Sequence, residues 1–482
     1  MSEIKVNKIS PRTNCGTVQL GDSGDTITIP AGATITNNGT QTGFGRTGAV
    51  DWQTSIKTTD FTASNGEGYF VNTSGGSNIT VTLPSSPSAG NIVAIADYAG
   101  TAATNKIIIN RNGSNFEGGT ANGEITTNRQ AVTLVFADST QGWLPVGEND
   151  SSFQSPLYVA ATGGTLITCG DYKIHTFTSP GTFCVTCAGN SLGNNKLDYL
   201  VVAGGGSAGG AGNPSTYASG GGGAGGYRES RNPSAAPVWT ASPLATCVSL
   251  TASSGPNAVA VGGGGAAATQ PTKTGGAGSV STFMTITSAG GGGGLQDGGF
   301  APTPGGQAAQ GGSGGGGGAS PVNDVGNGNV PSVTPAQGTP GGFGSGQSDT
   351  AGGGGGGAAS RGLPSTPNAP TTTGGTGGNG AGTAIHPNSP SPVGTPGPSG
   401  PLRYFAGGGG GGYGYNSVPT GNPGPAPYGG GGAGTNGPNT GNNGQANTGG
   451  GGGGVTGSYG PANASGGTGG SGIVIIRYKF QN

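Results

Sequence analysis

The first 200 residues alternate hydrophobic and polar positions with a period of two. Segment 79–83 carries Ile, Val and Leu at alternate positions, and segment 132–136 carries Val, Leu and Phe with the same spacing. This alternation is typical of strands with one face in a core. Turn residues such as Asn112-Gly113 recur along this part, and no stretch has the spacing of an amphipathic helix. The pattern predicts many short strands arranged as a sandwich or prism.

Two strongly hydrophobic strands bracket the second half of the chain. Leu197 to Ala203 runs directly into a block of glycines, and Ile473 to Phe480 follows the final block. Because both strands must bury their apolar faces, we expect them to pair within one β-layer. Just before them, segments 172–177 and 182–186 flank Ser-Pro-Gly at 179–181, which predicts a hairpin.

Glycine content divides the chain. Of its 482 residues, 115 are Gly and 34 are Pro, together about 31% against roughly 12% in ordinary proteins. Only 26 of the glycines precede residue 201, and 89 follow. Such a shift marks a domain boundary. We therefore expect an oligomerisation segment at 1–46, a β-sandwich-like module at 47–150, a β-hairpin neck at 151–203 and a glycine-rich domain at 204–482.

The glycines of the last domain are grouped in eight solid runs. Composition alone would favour disorder, but a flexible linker has no need of this grouping, and solid glycine excludes a collagen helix. Left-handed helices with three residues per turn leave every N–H and C=O pointing outward. Packed side by side they bond one another, and only Gly fits between them. We expect packed polyglycine II helices closed by strand 473–480, with disorder as the alternative. The runs are Gly220–Gly223, Gly262–Gly265, Gly290–Gly294, Gly314–Gly318, Gly352–Gly357, Gly407–Gly412, Gly429–Gly432 and Gly449–Gly454.

Several stretches resemble a known family. The glycine region is entered through DYLVVAGGGSAGGAG, continued by GGGGAGGYRES and closed by GGSGIVIIRYKF. In these it resembles the glycine-rich domains of bacteriophage tail-fibre and adhesin proteins, which implies a polyglycine II sandwich whose loops touch the host receptor. MSEIKVNKISPRT, and DFTASNGEGYFVNTSGG followed by ITVTLP, resemble modules in virion structural proteins of phages that infect aquatic bacteria.

The resemblance implies a virion tail fibre or appendage, assembled in the host cytoplasm, that mediates adsorption to the host cell surface. Segment 1–46 would attach to a tail or adaptor protein. We expect a homotrimer, in which the thin strands of this segment bury their Ile faces against each other. The expected partner is a host cell-surface glycan or outer-membrane protein. The alternative is a passive structural decoration or fibre subunit without receptor binding.

Charge and chemistry argue against other functions. Charged residues make up 7% of the chain and the net charge is −1, which does not suit nucleic-acid binding. The apolar stretches are strand-sized, so we expect no membrane insertion. Cys184 and Cys187, three apart in a strand, face opposite sides, and no other residues complete a metal site with His175. Neither His175 nor His386 has a nucleophile nearby in the sequence pattern, so we expect no enzyme, metal or cofactor.

The loops between runs carry the candidate binding residues. Tyr offers rigid amphipathic contact area and Asn adaptable hydrogen bonds, as in binding loops. Segment 386–415 combines the longest excursion with the densest aromatic cluster, so it is the best single candidate. The alternative for aromatics beside a run is that they cap the array. The candidate receptor-binding residues are Tyr217, Asn323, Asn327, His386, Arg403, Tyr404, Phe405, Tyr413, Tyr415 and Tyr428.

Overall fold

The described part of the chain is built from strands, turns and extended segments. No helix occurs in it, so the predicted all-β fold is confirmed. It also contains no helix suited to crossing a membrane. Apart from isolated residues, segment 1–46 lies outside the described residues. The structure, a computed structural model, describes residues 50–146, 156–191, 193–210, 218–232, 239–268, 274–295, 309–319, 324–345, 351–366, 372–388, 392–414, 421–436, 440–456 and 464–481, with residues 9, 18, 19, 22, 25, 26 and 28.

Residues 50–146 form a module of two packed sheets. The first six strands alternate between the two sheets and are parallel to their neighbours, and antiparallel strands then close both sheets. One sheet has the order β1-β3-β5-β8-β9 and the other β2-β4-β6-β7. The strands are β1 (Asp51–Trp52), β2 (Phe61–Thr62), β3 (Glu67–Val71), β4 (Ile79–Thr82), β5 (Ile92–Asp97), β6 (Ile107–Asn110), β7 (Gly123–Ile125), β8 (Ala131–Phe136) and β9 (Trp143–Val146).

The alternating positions of this module lie where their spacing predicts. Ile79 and Val81 of β4 and Leu83 just beyond it are buried, with the intervening residues half-buried. In β8 the odd positions are more exposed and the even ones are buried. Both sets join one hydrophobic core, so the predicted strands with one buried face are confirmed.

The second part of the chain forms one five-stranded and one six-stranded sheet at one end of the glycine region. A two-stranded sheet lies beside them. The orders are β10-β13-β17-β18-β19, β11-β12-β22-β14-β15 with β16 also on β14, and β20-β21. The strands are β10 (Val159–Thr162), β11 (Thr165–Cys169), β12 (Tyr172–Phe177), β13 (Gly181–Ala188), β14 (Lys196–Val202), β15 (Tyr227–Glu229), β16 (Leu250–Thr251), β17 (Gly255–Ala260), β18 (Ser281–Phe283), β19 (Ile286–Ser288), β20 (Ala381–Thr383), β21 (Arg403–Phe405) and β22 (Ile473–Lys479).

The predicted pairing of the two hydrophobic strands is confirmed. β14 and β22 are antiparallel neighbours, with Leu200 opposite Ile475. Alternate residues of β22 pack into two different hydrophobic cores: Ile475 lies in the core on one face of the sheet and Ile476 in the core on the other face. Burial on both faces explains why these strands are continuous apolar runs instead of alternating ones.

The predicted hairpin across 179–181 is wrong. The strands exist, but β12 pairs with β11 and β22, whereas β13 pairs with β10 and β17 in the other sheet. Phe177 and Phe183 lie in the same core, so the strands face each other across it instead of lying side by side. The true hairpin joins β11 to β12 through Gly170, whose φ of 56° suits a tight turn.

Candidate binding surface of the glycine array

Extended segments between residues 203 and 472, called here the glycine array, bond one another with a repeat of three. In segment 203–210 the N–H groups of Ala203, Gly206 and Gly209 donate to segment 218–226. The next residue of each triplet donates to segment 274–279, and the third to segment 464–472. Hydrogen bonds that return to the same neighbour every third residue indicate three residues per turn.

Segment 218–226 lies at the centre of the array. It donates N–H groups to three neighbouring segments and accepts from three others. Those six also bond one another in a closed ring, for example through Gly291 N–H to Gly204 O (2.9 Å) and Gly452 N–H to Gly206 O (3.0 Å). The ring is formed by segments 203–210, 289–295, 313–319, 351–358, 406–413 and 449–456.

A second layer surrounds the ring. Its segments bond to the ring on one side and leave another side facing outward, so they tolerate side chains at every third position. Residues 373, 376 and 379 are partly or fully exposed, as are 465, 468 and 471, whereas the glycines between them are mostly buried. The outer segments are 262–268, 274–279, 309–312, 324–328, 337–345, 360–366, 372–380, 421–426, 429–435, 440–445 and 464–472.

Close backbone approach requires glycine at most positions of the inner segments. A Cβ added at Gly354 would overlap the carbonyl oxygen of Thr376, and one at Gly221 that of Gly409, each well under 3.0 Å. Gly263, in an outer run, would meet nothing within 4 Å. The solid runs therefore follow from enclosure on all sides.

The array has two different ends. We call the base the end where Ala203 bonds Gly226, beside β14 and β22. At the opposite end, the tip, bridges join Ala218 to Thr456 and Thr373 to Asn422. Nine times within the array, described segments end and resume at the tip: 210/218, 268/274, 295/309, 319/324, 345/351, 366/372, 414/421, 436/440 and 456/464.

Three candidate residues belong to the sequence between tip-end segments. Tyr217, Asn323 and Tyr415 lie outside the described residues, and the segments that flank them end at the tip. Asn327 is described and exposed, in an outer segment. The positions of Tyr217, Asn323 and Tyr415 in the sequence therefore associate them with the tip.

The first part of the best single candidate, residues 386–405, lies at the base, and residues 406–413 run from there along the array to the tip. Phe405 is fully buried in a hydrophobic core, and His386 is only 4% exposed. Arg403 turns inward, where its Nε donates to the carbonyl of Val393 at 2.8 Å. Burial leaves Phe405 and His386 no surface for a receptor, which corrects their assignment as contact residues.

The remaining tyrosines divide between capping and exposure. Tyr413 is 5% exposed, and its ring lies over Gly421, so it caps the array as the alternative interpretation holds. Tyr404 packs over Gly382, and its ring contacts that of Tyr428 with centroids 5.6 Å apart. Tyr428, at the base, is 44% exposed.

A buried ionic cluster at the base escaped the sequence analysis. Arg477 of β22 lies between the rings of Tyr172 and Trp239, 4.4 and 4.5 Å from their centroids, and donates to Ile385 O at 3.1 Å. Asp198 is opposite it in the sheet. Burial lowers the pKa of Arg477 and raises that of Asp198. The signal was a charged residue inside each of two apolar strands.

A second buried carboxylate ties the base together. Glu229 accepts hydrogen bonds from the Thr383 hydroxyl (2.6 Å) and the Tyr227 hydroxyl (2.7 Å), and from the Ser242 N–H at 3.0 Å. Burial raises the pKa of Glu229, while these hydrogen bonds oppose the shift. Because Glu229 is buried and its hydrogen bonds link β15 to β20, the group joins these two strands.

The described cysteines and His175 belong to no cluster of possible metal ligands. Among the described residues, no group of three or more His, Cys, Asp or Glu could hold a metal ion. His175 is fully buried, with Nδ1 2.6 Å from Gly163 O and Nε2 3.1 Å from the Tyr478 hydroxyl. Since a carbonyl only accepts, Nδ1 carries the proton and Nε2 accepts from Tyr478. Burial lowers the pKa of His175 and raises that of Tyr478 to about 12.

Comparison with known proteins places the array in a family. The sequence model described as a glycine-rich domain matches residues 178–479, more than half of the chain. The match begins within the turn before β13 and ends with β22. None of the curated proteins matches the chain.

Proposed function

Because the chain belongs to the glycine-rich domain family, we propose that it is a non-enzymatic virion adhesin whose array holds its tip against a host cell. The observation that carries the proposal is that nine pairs of consecutive array segments have their adjoining chain ends at the same end of the array. Loops held by a rigid scaffold are where binding sites usually lie.

The sequence of these nine connections suits recognition. Eight of them contain Pro, and together they hold Tyr217, Phe300, Tyr415 and Tyr459 with many Asn, Ser and Thr. Rigid aromatics with adaptable polar groups are the composition of binding loops. Charged residues are few, which favours a neutral glycan or the loops of an outer-membrane protein.

The rod that carries the tip is, in this proposal, a bundle of polyglycine II helices. Three observations support this assignment: the hydrogen bonds repeat every three residues, they join different segments instead of residues within one, and the inner runs lack positive φ at all but Gly449. Polyglycine II has three residues per turn and no internal hydrogen bonds.

The remaining parts of the proposal concern attachment. The chain enters the array at the base, through β14, so whatever precedes it is connected to the end opposite the tip. Segment 1–46 would join a tail or adaptor protein of a phage particle, in a homotrimer. Immunogold labelling of intact particles should place the protein on an appendage, and absence of label from particles would refute the virion assignment.

The deciding experiment exchanges tip connections. Replacing residues 457–463 by a Gly-Ser linker of equal length should leave the thermal midpoint unchanged and reduce adsorption of particles to host cells. The matched control replaces the exposed base residues 398–401 in the same way and should adsorb normally. Exchanging 386–405 is unsuitable, because it removes β21 and Phe405 from the core.

Contrary outcomes are clear. If tip exchanges at 457–463, 415–420 and 211–217, singly and combined, all fold and adsorb as the parent does, the array is a passive decoration. Equal losses in the tip and base variants would show a general effect of the exchange and would contradict recognition at the tip.

A further inference from the structure

A polar cleft opens at one end of the first module. It has a volume of about 500 Å³ and lies between the connection that leads into β2 and the connection from β3 to β4. Most of the residues that line it are exposed, so the cleft is an open depression on the surface. Its lining is Thr58, Thr59, Asp60, Asn72, Thr73, Gly75, Ser77, Asn78 and Ile79.

Three side chains of the cleft are held in fixed orientations by the backbone. Asp60 accepts the Thr80 N–H through Oδ1 at 2.6 Å. Asn72 accepts the Ser74 N–H at 3.0 Å, and Asn78 accepts the Lys106 N–H at 2.9 Å, each through Oδ1. The second polar atom of each side chain makes no hydrogen bond to the described residues. One carboxylate oxygen and two amide N–H₂ groups are thus left for the cleft they line.

The chemistry of the lining selects one kind of ligand. Asp60 is the sole charged residue among the lining residues, so an anion would be repelled. Calcium takes six to eight oxygen ligands, and no group of acidic or His/Cys residues within the described chain could hold a metal ion. A hydroxyl both donates and accepts. Adjacent hydroxyls can therefore donate to the Asp60 carboxylate and accept from the amides of Asn72 and Asn78.

We propose that this cleft is a binding site for a neutral saccharide, separate from the tip. The hydroxyls of Thr58, Thr59 and Ser77 enlarge the set of groups that can bond a sugar ring. No aromatic residue lines the cleft, so the affinity rests on hydrogen bonds in competition with water and is on the order of millimolar. Several copies on one particle would raise the avidity for a glycan-coated surface.

The test uses saturation-transfer NMR on the full chain, with the methyl glycosides of glucose, galactose, mannose and N-acetylglucosamine as probes. At least one glycoside should receive saturation. Asp60→Asn and Asn72→Asp each keep the acceptor of the backbone hydrogen bond and exchange the second polar atom of the side chain between acceptor and donor. Each should weaken binding about tenfold or more.

Asp51→Asn is the matched control, because Asp51 is an exposed carboxylate of the same module outside the cleft. It should bind as the parent does, and so should the 457–463 tip exchange. The proposal is overturned if no glycoside receives saturation, or if both cleft variants bind like the parent. Loss of binding on adding a chelator would also overturn it, since the cleft would then hold a metal. Should Asn72→Asp unfold, Asn78→Asp repeats the test.

Discussion

Gly354 and Gly263 are the same residue type under different constraints. Gly354 lies in an inner run, where another backbone occupies the space of a Cβ, while Gly263 has open space there. The sequence shows both only as members of solid runs. Which glycines are obligatory depends on enclosure by other segments, which no local pattern reveals.

Replacing these glycines by alanine should therefore give opposite results. Gly354→Ala must displace a backbone carbonyl within the array, and we expect a loss of about 1–3 kcal/mol or more. Gly263→Ala should be neutral or stabilising by about 0.4–1 kcal/mol, since alanine restricts the unfolded chain. Chemical denaturation of both variants checks this. Equal stability of the two would contradict enclosure of the inner run.

His175 should make stability depend on pH. Its folded pKa is lowered by burial, so the unfolded chain binds the proton more tightly. The stabilising contribution is complete above about pH 6.5, the pKa of an exposed histidine, and is lost as the pH falls through the lower folded value. Thermal midpoints should fall more for the parent than for His175→Gln between about pH 7.5 and 5.5.

Comparison with the variant is needed because other buried groups titrate too. Burial also lowers the pKa of His386, which acts in the same direction. The raised pKa values of Asp198 and Glu229 act in the opposite direction, stabilising the fold as the pH falls. Identical pH profiles for the parent and His175→Gln would show that His175 does not contribute.

Single aromatic residues illustrate a limit of sequence reasoning. Phe405 and Tyr413 lie next to a glycine run in the sequence, a position that is equally compatible with an exposed contact residue, yet both are buried. Their environment depends on which distant segment lies over them, such as Gly421 over Tyr413. Composition therefore indicated aromatic caps and aromatic contacts equally well.

At the scale of elements, β22, the last strand of the chain, pairs with β12 and β14, which precede the glycine array. It lies between β12 and β14, and its alternate residues enter two cores. The sequence predicted that β22 pairs with β14, because two long apolar strands must bury their side chains and pairing in one sheet achieves this. It could not predict that β12 and β13 enter different sheets, because a Ser-Pro-Gly turn serves a hairpin and a crossing between layers alike.

Truncating β22 should prevent folding. Deleting residues 473–482 removes the partner of β12 and β14, so soluble protein should be lost. Because a truncated chain that does not fold gives no stability value, two single substitutions measure the contribution of β22. Ile475→Ala and Ile476→Ala each remove a fully buried side chain from a different core. Each should cost about 2–5 kcal/mol. A soluble truncation with protected amides would refute the need for closure.

At the scale of the whole molecule, the sequence of a single glycine run does not determine which segments lie next to it in the array. All runs offer the same backbone groups, so their neighbours are decided by the lengths of the connections and by the sheets at the base. The sequence does carry one signal: most inner segments are solid glycine, while outer ones such as 372–380 and 464–472 place other residues at every third position. Residues between the solid runs can therefore belong to the same array as its outer segments.

Amide hydrogen exchange should report this layering. N–H groups of the central run Gly220–Gly223 are enclosed by six segments and should exchange slowest, at rates set by global unfolding. The outward N–H groups of segment 464–472 should exchange faster. Mass spectrometry of exchanged peptides measures both. Uniformly fast exchange in all runs would support the disorder alternative.

The direction of the hydrogen bonds has a mechanical consequence. They run across the array, while the segments run between base and tip. A pull on the tip therefore loads many of these bonds together in shear, instead of opening them one at a time as in a peeled hairpin. We expect the array to resist extension strongly, and optical tweezers attached at the tip and the base would measure a single high rupture force. In the proposed adhesin, this resistance to shear would keep the tip in place under load, whatever the tip contacts.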